Sequence, residues 1–541
     1  MKLSKMLFIL SGRGGNPMMR QMTGRLFQAR PLFLACLLLL CSCTGSQEDE
    51  GRKAPPGTIE QPGNGKDANK GSSDGTKTGT GQLEPYTIKF VYTGATQPDE
   101  QAVEEAMNDY LADKLNARID LIPVDWGPWG DKINLMIASR EKVDIMFTAQ
   151  WNKHAVNVSK GAFLPLDDLL EQYGQGILQS LDPVFLEGSR IDGKNYAVPT
   201  NKEIAAQGGI VYRSDIAEEL GIDMSAVKSI GDLDGVYRTI LEKKPGMIPI
   251  YMKLGETFNS HYLGNYDALG DTSIPGIILK DSDGTEIKPG YEVERYVETL
   301  QITRDYYKKG YINKDAATNQ TMNNAALQSG EVFSITSALK PGKADELAMQ
   351  TGLTGKLAQL ELSEKTIATS ETAGAMLGIS STSQDPARAM MFINLLHTDK
   401  YLNNLINYGI EGKHYVKVTD TVIRPTAQTP QYNPGTNWMF GNQFLNYVWE
   451  TEDPDKWSSF KAFNRNAKLS PGLGFVFDGE AVKAEIAAVV NVDRQYQIAL
   501  ETGSVDVDKV LPEYIERLKA AGIDKIVAEK QKQFDRFLAD K

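Results

Sequence analysis

The amino-acid sequence predicts an α/β fold whose first part is built from parallel βαβ units. Residues 86–92, 117–124 and 143–148 have the composition of strands, and the two intervals between them carry apolar residues at helical spacing. Strands and helices that alternate in this way form right-handed crossovers in a parallel sheet. Apolar residues are 41% and charged residues 24% of the 541 residues, the usage of a globular protein. This composition excludes a fully disordered chain and a membrane protein with many spans.

Each early element has its own local signal. The first strand alternates apolar and polar residues, and Asp99 is placed to begin the helix that follows it. Apolar residues from Val103 to Leu115 recur at helical spacing, and residues 131–139 repeat this pattern after the second strand. The third strand, at residues 143–148, is an apolar run with a single aspartate.

The alternation continues less regularly toward the C-terminus. Pro386 in the first turn of one segment and Gly310 after the last turn of another are typical helix boundaries. Strands are predicted at 196–199 and 375–379, and helices at 216–220, 236–242, 291–309, 386–396 and 507–541, the last with a break at Gly522.

The N-terminal segment has the pattern of an export signal. Residues 32–41 form an apolar run of ten residues, whereas a spanning helix needs roughly 20. Only basic charges precede this run, which is typical of a secretory signal peptide. Ser42-Cys43 resembles the end of a bacterial lipobox, so we expect residues 1–42 to be a lipoprotein signal peptide and Cys43 to be lipidated. The alternative is an ordinary signal peptide with incidental cysteines.

Residues 43–84 are predicted to be a lipidated N-terminus followed by a disordered tether, because Gly, Ser, Thr, Pro and mixed charges dominate them. The expected location is therefore the extracellular face of the cell membrane, on a Gram-positive surface or facing a periplasm. The three cysteines all lie at or before residue 43, so thiol chemistry in the body is excluded. A net charge of -12 argues against a nucleic-acid partner.

The sequence carries no catalytic or metal-binding motif. The four histidines form no zinc pattern, and nucleophile-elbow, Walker A and dinucleotide-binding motifs are absent. The turn at 281–286 resembles part of a calcium loop but places glycine at the wrong position, so a polar turn is the preferred interpretation. We therefore expect no enzyme activity, no cofactor and no metal; a hydrolase or lyase that uses a carboxylate pair is the open alternative.

Candidate ligand residues follow the predicted strands, because open α/β sheets bind ligands at the carboxyl ends of their strands. Trp126 follows the second strand, and Gln150, Trp151 and Asn152 follow the third. Aromatic rings beside polar groups suit a sugar, which has apolar C–H faces and hydroxyls that need hydrogen-bond partners. Core packing is the alternative for each tryptophan.

Three further segments combine an aromatic ring with amides or charges near glycine, and they contain Tyr262, His414 and Trp438. Each residue is a candidate ligand contact, and each could instead stabilise a loop.

Several segments resemble a known family, the extracellular solute-binding lipoproteins of sugar-type ABC importers. They include VDIMFTAQW at 143–151, DGKNYAVPTNKE at 192–203 and VYRSDIAEELGID at 211–223. Segments at 385–418 and 441–492 look like a narrower, LipO-like subgroup that carries a C-terminal domain of unknown function.

The resemblance implies a two-lobed periplasmic-binding-protein-like fold of class II, with parallel-dominated mixed sheets flanked by helices and a ligand cleft between the lobes. It places residues 85–198 and about 374–405 in the N-terminal lobe, and residues 199–373 with much of 406–541 in the C-terminal lobe and its extension. It also places Glu203, just after the first crossover, among the ligand contacts.

The function implied by the resemblance is a membrane-anchored, monomeric receptor that delivers a carbohydrate, an oligosaccharide in our interpretation, to an ABC permease. Two alternatives stay open at this point. The protein could be a sensing or adhesion lipoprotein that presents its ligand to a membrane receptor, or it could bind a non-sugar solute such as a peptide.

Overall fold

The computed structural model describes residues 83–541. The predicted signal peptide, the lipidation of Cys43 and almost all of the predicted tether lie outside the described residues.

Sixteen strands are present in the described part of the chain. They are β1 (Tyr86–Thr93), β2 (Ala117–Val124), β3 (Ile145–Thr148), β4 (Val198–Pro199), β5 (Gln207–Arg213), β6 (Ile248–Tyr251), β7 (Tyr266–Asp267), β8 (Ile278–Leu279), β9 (Val332–Leu339), β10 (Leu357–Glu361), β11 (Thr366–Ile367), β12 (Met376–Ile379), β13 (Tyr415–Lys417), β14 (Val422–Pro425), β15 (Val448–Trp449) and β16 (Lys468–Leu469).

Eighteen α-helices accompany these strands within residues 83–541. They are α1 (Glu100–Leu115), α2 (Trp129–Ala138), α3 (His154–Ser159), α4 (Asp167–Tyr173), α5 (Gln175–Ser180), α6 (Pro183–Gly188), α7 (Ser214–Glu219), α8 (Leu233–Lys243), α9 (Glu294–Lys309), α10 (Asn323–Gln328), α11 (Lys343–Thr351), α12 (Thr369–Thr372), α13 (Pro386–Thr398), α14 (Lys400–Tyr408), α15 (Lys456–Asn464), α16 (Lys483–Glu501), α17 (Val507–Ala521) and α18 (Ile523–Asp540).

The first sheet has the strand order β2-β1-β3-β12-β4 and confirms the predicted βαβ units. Strand β1 is parallel to β2 over eight residue pairs and parallel to β3 on its other side. The start of β1 is held by Arg388, whose Nη1 donates to the carbonyl oxygen of Glu84 at 3.2 Å and to that of Leu115 at 2.6 Å. Strand β12 returns antiparallel between β3 and β4.

The second sheet has the order β10-β5-β9-β6 and corrects one expectation. Only β6 and β9 are parallel here, whereas β5 is antiparallel to both β9 and β10. The sheets are mixed and flanked by helices, as predicted, but parallel pairs do not dominate. Two of the four strand pairs of the first sheet are parallel, and one of the three pairs of the second sheet is. The prediction was wrong for the second sheet because its central strands are far apart in sequence, and no local signal fixes their direction.

Three segments run side by side between the two sheets. Ala206 and Thr366 exchange backbone hydrogen bonds of 2.8 and 2.9 Å, which pairs the segment after β4 with β11. Strand β16 lies parallel to β11 on its other side. The chain therefore crosses between the lobes more than once.

The buried apolar residues form separate cores. The first core surrounds the first sheet and includes Tyr432, Phe440 and Phe463, although the predicted boundary placed much of 406–541 in the second lobe. Two further cores lie around the second sheet. Another core joins residues 269–300 to the helices α16, α17 and α18, so the C-terminal helices pack on a segment from the middle of the chain.

Candidate functional site

The site lies at the edge of the first sheet where β1, β2 and β3 end. Because β12 is antiparallel to β3, the residues before β12 reach the same edge, and Met376 lies opposite Thr148. Strand β4 is antiparallel to β12 and therefore ends at this edge too. The backbone of Gln150 donates to the carbonyl oxygen of Ala373 at 2.8 Å, which fixes the turn after β3 against the segment before β12.

Three tryptophans form a nearly parallel aromatic group at this edge, hereafter the tryptophan platform (Trp126, Trp151 and Trp438). The ring centroids of Trp126 and Trp151 are 6.1 Å apart with planes inclined by 25°, and those of Trp126 and Trp438 are 6.2 Å apart with planes inclined by 14°. Trp126 is 53% exposed and Trp151 is 55% exposed, while Trp438 is half-buried. The structure thus brings together three residues that the sequence predicted separately.

The platform rests on Phe147, a fully buried residue of β3. The ring of Phe147 lies 6.0 Å from that of Trp151 and 5.8 Å from that of Trp438, in tilted and edge-on orientations. The indole Nε1 of Trp151 donates to the carbonyl oxygen of Gly374 at 2.7 Å. These contacts hold the rings in place while their outer faces stay accessible.

Polar groups flank the platform. Gln150 and Asn152 belong to the same short 3-10 turn as Trp151, and both are half-buried. The Nε2 of Gln150 donates to the carbonyl oxygen of Gly270 at 3.2 Å. Its Oε1 is buried and has no hydrogen-bond partner among the described residues. A buried amide oxygen without a donor is unfavourable, so this atom is a candidate acceptor for a ligand hydroxyl.

Glu203 lies just after β4, on the first crossover, as the resemblance implies. Its Oε1 is 3.4 Å from the ammonium of Lys202 and 3.5 Å from that of Lys340, which follows β9 of the second sheet. Burial acts to raise the pKa of Glu203, but the two lysines outweigh it and lower the pKa, so the carboxylate is ionised. Its Oε2 is buried without a partner in the described structure and is a second candidate acceptor.

Tyr262 is half-buried, and its contacts run through Lys280 to α12 rather than to the platform rings. Lys280 lies over its ring, 4.8 Å from the centroid, and pairs with Glu371 at 2.9 Å. Glu371 belongs to α12, three residues before Gly374, which accepts the Trp151 hydrogen bond. The loop around Tyr262 passes so close to β5 that a Cβ at Gly208 would come within 2.6 Å of the Tyr262 carbonyl carbon.

His414 is a correction to the sequence prediction. The side chain is fully buried; its Nδ1 accepts from the backbone of Ile410 at 2.8 Å, and its Nε2 lies 3.1 Å from a carboxylate oxygen of Asp99. A residue with no exposed surface and two internal partners stabilises a loop, so the prediction of a ligand contact was wrong. Trp129, the first residue of α2, is buried as well and belongs to the core of the first sheet.

Several residues of the site were missed from the sequence. Lys280, Lys340 and Glu371 are charged partners around Tyr262 and Glu203, but nothing in their neighbouring residues distinguishes them from other charged positions. Gly270 and Gly374 contribute only their carbonyl oxygens. Backbone groups have no sequence signal of their own.

Within residues 83–541, no helix is both long and apolar enough to cross a membrane. In the same range, no group of three or more histidine, cysteine, aspartate or glutamate side chains is arranged to hold a metal ion. In the turn at 281–286, Asp281 instead pairs with Arg295 at 2.8 Å.

This fold and this edge of aromatic and polar side chains define a two-lobed α/β binding protein. Residues 94–402 match the family described as bacterial extracellular solute-binding protein, and residues 471–539 match a domain of unknown function (DUF3502). The chain belongs to the bacterial extracellular solute-binding protein family. The resemblance and the fold class stated from the sequence are confirmed.

Two curated relatives support this membership. A carbohydrate ABC transporter substrate-binding protein of Streptococcus pneumoniae serotype 4 is 32% identical over 439 residues, which are 80% of this chain and 87% of the relative. Lipoprotein LipO of Bacillus subtilis is 25% identical over 210 residues, which are 36% of this chain and 39% of the relative. The LipO-like resemblance therefore holds as a distant relationship.

Solved structures show the same architecture. The N-glycan transport solute binding protein of Streptococcus pneumoniae matches with a TM-score of 0.76 and 30% identity, over 84% of this chain and 99% of that one. Its complex with Man5GlcNAc matches with a TM-score of 0.66 and 30% identity, over 85% of this chain and 99% of that one.

Proposed function

We propose that this protein is a non-enzymatic receptor that binds an oligosaccharide at the tryptophan platform and delivers it to an ABC importer. The observation that carries the proposal is the exposure of Trp126 and Trp151 beside a third, nearly parallel indole. Exposed apolar area costs about 25 cal/mol per Å² relative to burial, so a contiguous exposed aromatic group indicates a binding surface.

The chemistry around the platform suits a sugar. The flat C–H faces of sugar rings pack on indole rings, and their hydroxyls need partners when water is removed. Gln150 and Glu203 each provide a buried oxygen that has no partner within residues 83–541. A bound sugar would satisfy both requirements, because it offers apolar faces and hydroxyl donors together.

The class of sugar is inferred from relatives. The N-glycan transport protein that resembles this chain has been solved with Man1GlcNAc and with Man5GlcNAc. We infer that this protein also takes a glycan of mannose and N-acetylglucosamine, in a cleft that closes because ligand contacts favour the closed state.

Membrane attachment is part of the same proposal. A lipid on Cys43, which is outside the described residues, would keep the receptor beside its permease at the cell surface. Radiolabelled palmitate should be incorporated by the intact chain and lost in Cys43→Ala. Equal labelling of both forms would contradict the lipid anchor without affecting the sugar assignment.

Calorimetry tests the ligand. Purified wild-type protein is titrated with Man5GlcNAc, Man1GlcNAc, kestose and a short peptide, and we expect binding of the mannose-containing glycans. The double variant Trp126→Ala/Trp151→Ala should lose most of this affinity. Tyr401→Ala is the matched control, since Tyr401 is 54% exposed but packs on Tyr110 of α1, 4.8 Å away between ring centroids.

The alternatives have distinct outcomes. Binding of the peptide without any glycan would favour a non-sugar solute, and release of shortened glycans would favour an enzyme.

Transport is tested by the uptake of labelled glycan in cells that lack this protein. Normal uptake in such cells, together with binding in vitro, would favour the sensing role over delivery. Light scattering of the purified protein checks the expected monomer.

A further inference from the structure

The segment after β7 lies between the ligand site and the C-terminal helices. We call residues 268–276 the cleft loop and residues 475–541 the C-terminal helical unit. On the site side, the carbonyl oxygen of Gly270 accepts a hydrogen bond from Nε2 of Gln150, at 3.2 Å. Gln150 adjoins Trp151 in the same 3-10 turn. Movement of the cleft loop would therefore displace the Gln150 side chain, next to the tryptophan platform.

On its other side, the cleft loop is bound by Lys530 of α18. The ammonium of Lys530 donates to the carbonyl oxygens of Ala268 at 3.0 Å, Ile274 at 3.2 Å and Gly276 at 2.9 Å. All three donors of the ammonium are thus used on one loop. Because the bonded carbonyls lie at both ends of the loop, Lys530 constrains its whole path.

The backbone adds a second connection. The N–H of Phe477 donates to the carbonyl oxygen of Leu269 at 2.8 Å, and Leu269 belongs to the core shared with the C-terminal helices. The carbonyl groups of residues 268 and 269 therefore contact the C-terminal helical unit, whereas the carbonyl group of Gly270 contacts Gln150. Gly270 has a φ of 144°, a region that side-chain-bearing residues rarely adopt.

Lys530 is an unusual residue to be buried between a helix and a loop. Its side chain is fully buried, and its ammonium lies 5.2 Å from the ring centroid of Phe477. Burial lowers the pKa of Lys530 to about 7, while Asp267 and Asp271 act in the opposite direction. Burying a lysine is unfavourable unless its charge is bonded, so the three carbonyls account for its presence here.

We propose that Lys530 is a positioning residue for ligand binding, through which the C-terminal helical unit holds the cleft loop against Gln150. The inference rests on the proposed function, and it assigns a role to the domain matched at residues 471–539. The unit does not need to touch the ligand. It fixes one wall of the site through the loop.

The test uses the full chain with Lys530→Met, which keeps the length of the side chain and removes its three donors. We expect hydrogen exchange in residues 268–277 to become about tenfold faster and the Kd for Man5GlcNAc to rise about three- to tenfold. Lys532→Met is the matched control on the same helix, because Lys532 is exposed and pairs only with Glu529 within the described residues. It should change neither quantity.

A double-mutant cycle separates positioning from general destabilisation. If Lys530 acts through Gln150, Lys530→Met should change the Kd by less than about twofold in a Gln150→Ala background. Equal effects in both backgrounds would overturn the inference. Should Lys530→Met fail to fold, Lys530→Gln is the second variant, because it keeps two donors. Hydrogen exchange in residues 268–277 should then be faster than in wild-type protein, but by less than the tenfold expected for Lys530→Met.

The two proposals fail separately. If wild-type protein binds none of the glycans, the proposed function is overturned. Unchanged hydrogen exchange of the cleft loop in Lys530→Met overturns the present inference whether or not a glycan binds.

Discussion

The indole Nε1 of Trp151 donates a hydrogen bond to the carbonyl oxygen of Gly374, on the neighbouring strand connection, at 2.7 Å. Gly374 precedes β12, and Trp151 follows β3, so the bond joins the ends of two adjacent antiparallel strands. The ring is thereby oriented before a ligand arrives. A platform set in this way loses little side-chain entropy on binding.

The first prediction separates the contribution of the Trp151 ring to glycan affinity from that of its hydrogen bond to Gly374. Trp151→Ala should weaken glycan binding by about 1 to 3 kcal/mol, the usual effect of removing a central aromatic contact. Trp151→Phe keeps an aromatic face but lacks the donor to Gly374, so we expect a smaller loss of affinity. Calorimetry with Man5GlcNAc measures both. Unchanged affinity in Trp151→Ala with a lower melting temperature would assign this tryptophan to packing.

The second prediction concerns His414. His414→Leu should lower the free energy of unfolding by about 1 to 3 kcal/mol, because the substitution leaves the Ile410 N–H without its acceptor and Asp99 without one of its partners. The affinity for glycan should stay at the wild-type value. Urea unfolding and calorimetry give the two quantities, and a loss of affinity without a loss of stability would restore His414 as a ligand contact.

The third prediction concerns the buried ion pair between Lys280 and Glu371, whose side chains are only 2% and 6% exposed. Glu371→Gln leaves the lysine charge buried and should cost about 3 to 5 kcal/mol of stability. The exposed pair between Glu286 and Lys288 offers a control, and Glu286→Gln should leave the urea midpoint unchanged. Similar midpoints for both variants would mean that water reaches Lys280.

The fourth prediction is an acid sensitivity set by two buried histidines. Burial lowers the pKa of His154 to about 4 and that of His397 to about 3, against about 6.5 in an unfolded chain. Between pH 6.5 and 4 the unfolded state therefore binds more protons than the folded state. Stability should fall as the pH drops through this range, by up to about 1.4 kcal/mol per pH unit for each histidine.

Denaturant unfolding at pH 7, 6, 5 and 4.5 measures this slope. His154→Gln should show a shallower fall than wild-type protein, because it removes one of the two titrating groups. The same slope in both proteins would assign the acid sensitivity to other residues.

Local chemistry predicted much of the fold. Strand β2 is found at the residues that its composition indicated, and α9 ends at Lys309 with Gly310 directly after its last turn, as predicted. Asp99 occupies the position before α1, but its side chain makes no cap hydrogen bond. It pairs instead with Lys413 at 2.9 Å, a partner that only the tertiary structure provides.

The site was predictable where a topological rule applied. The rule that ligands bind beyond strand ends located Trp126 and Trp151, and both lie exposed at the sheet edge. It could not show that Trp438 stacks on Trp126, because a late loop brings that ring to the edge. His414 was misassigned because an aromatic-polar pattern near glycine describes a packed loop and a binding loop equally well.

The parallel neighbours of β1 also have a mechanical consequence. In a chain anchored at Cys43, as proposed, a pull from the membrane would reach β1 from its N-terminal end and act along this strand. This strand is bonded to β2 on one side and to β3 on the other, and Arg388 grips its start. Tension would load these hydrogen bonds in shear, all at once, rather than peel them apart singly. The strand that would take up force from a membrane anchor is therefore supported by parallel strands on both sides.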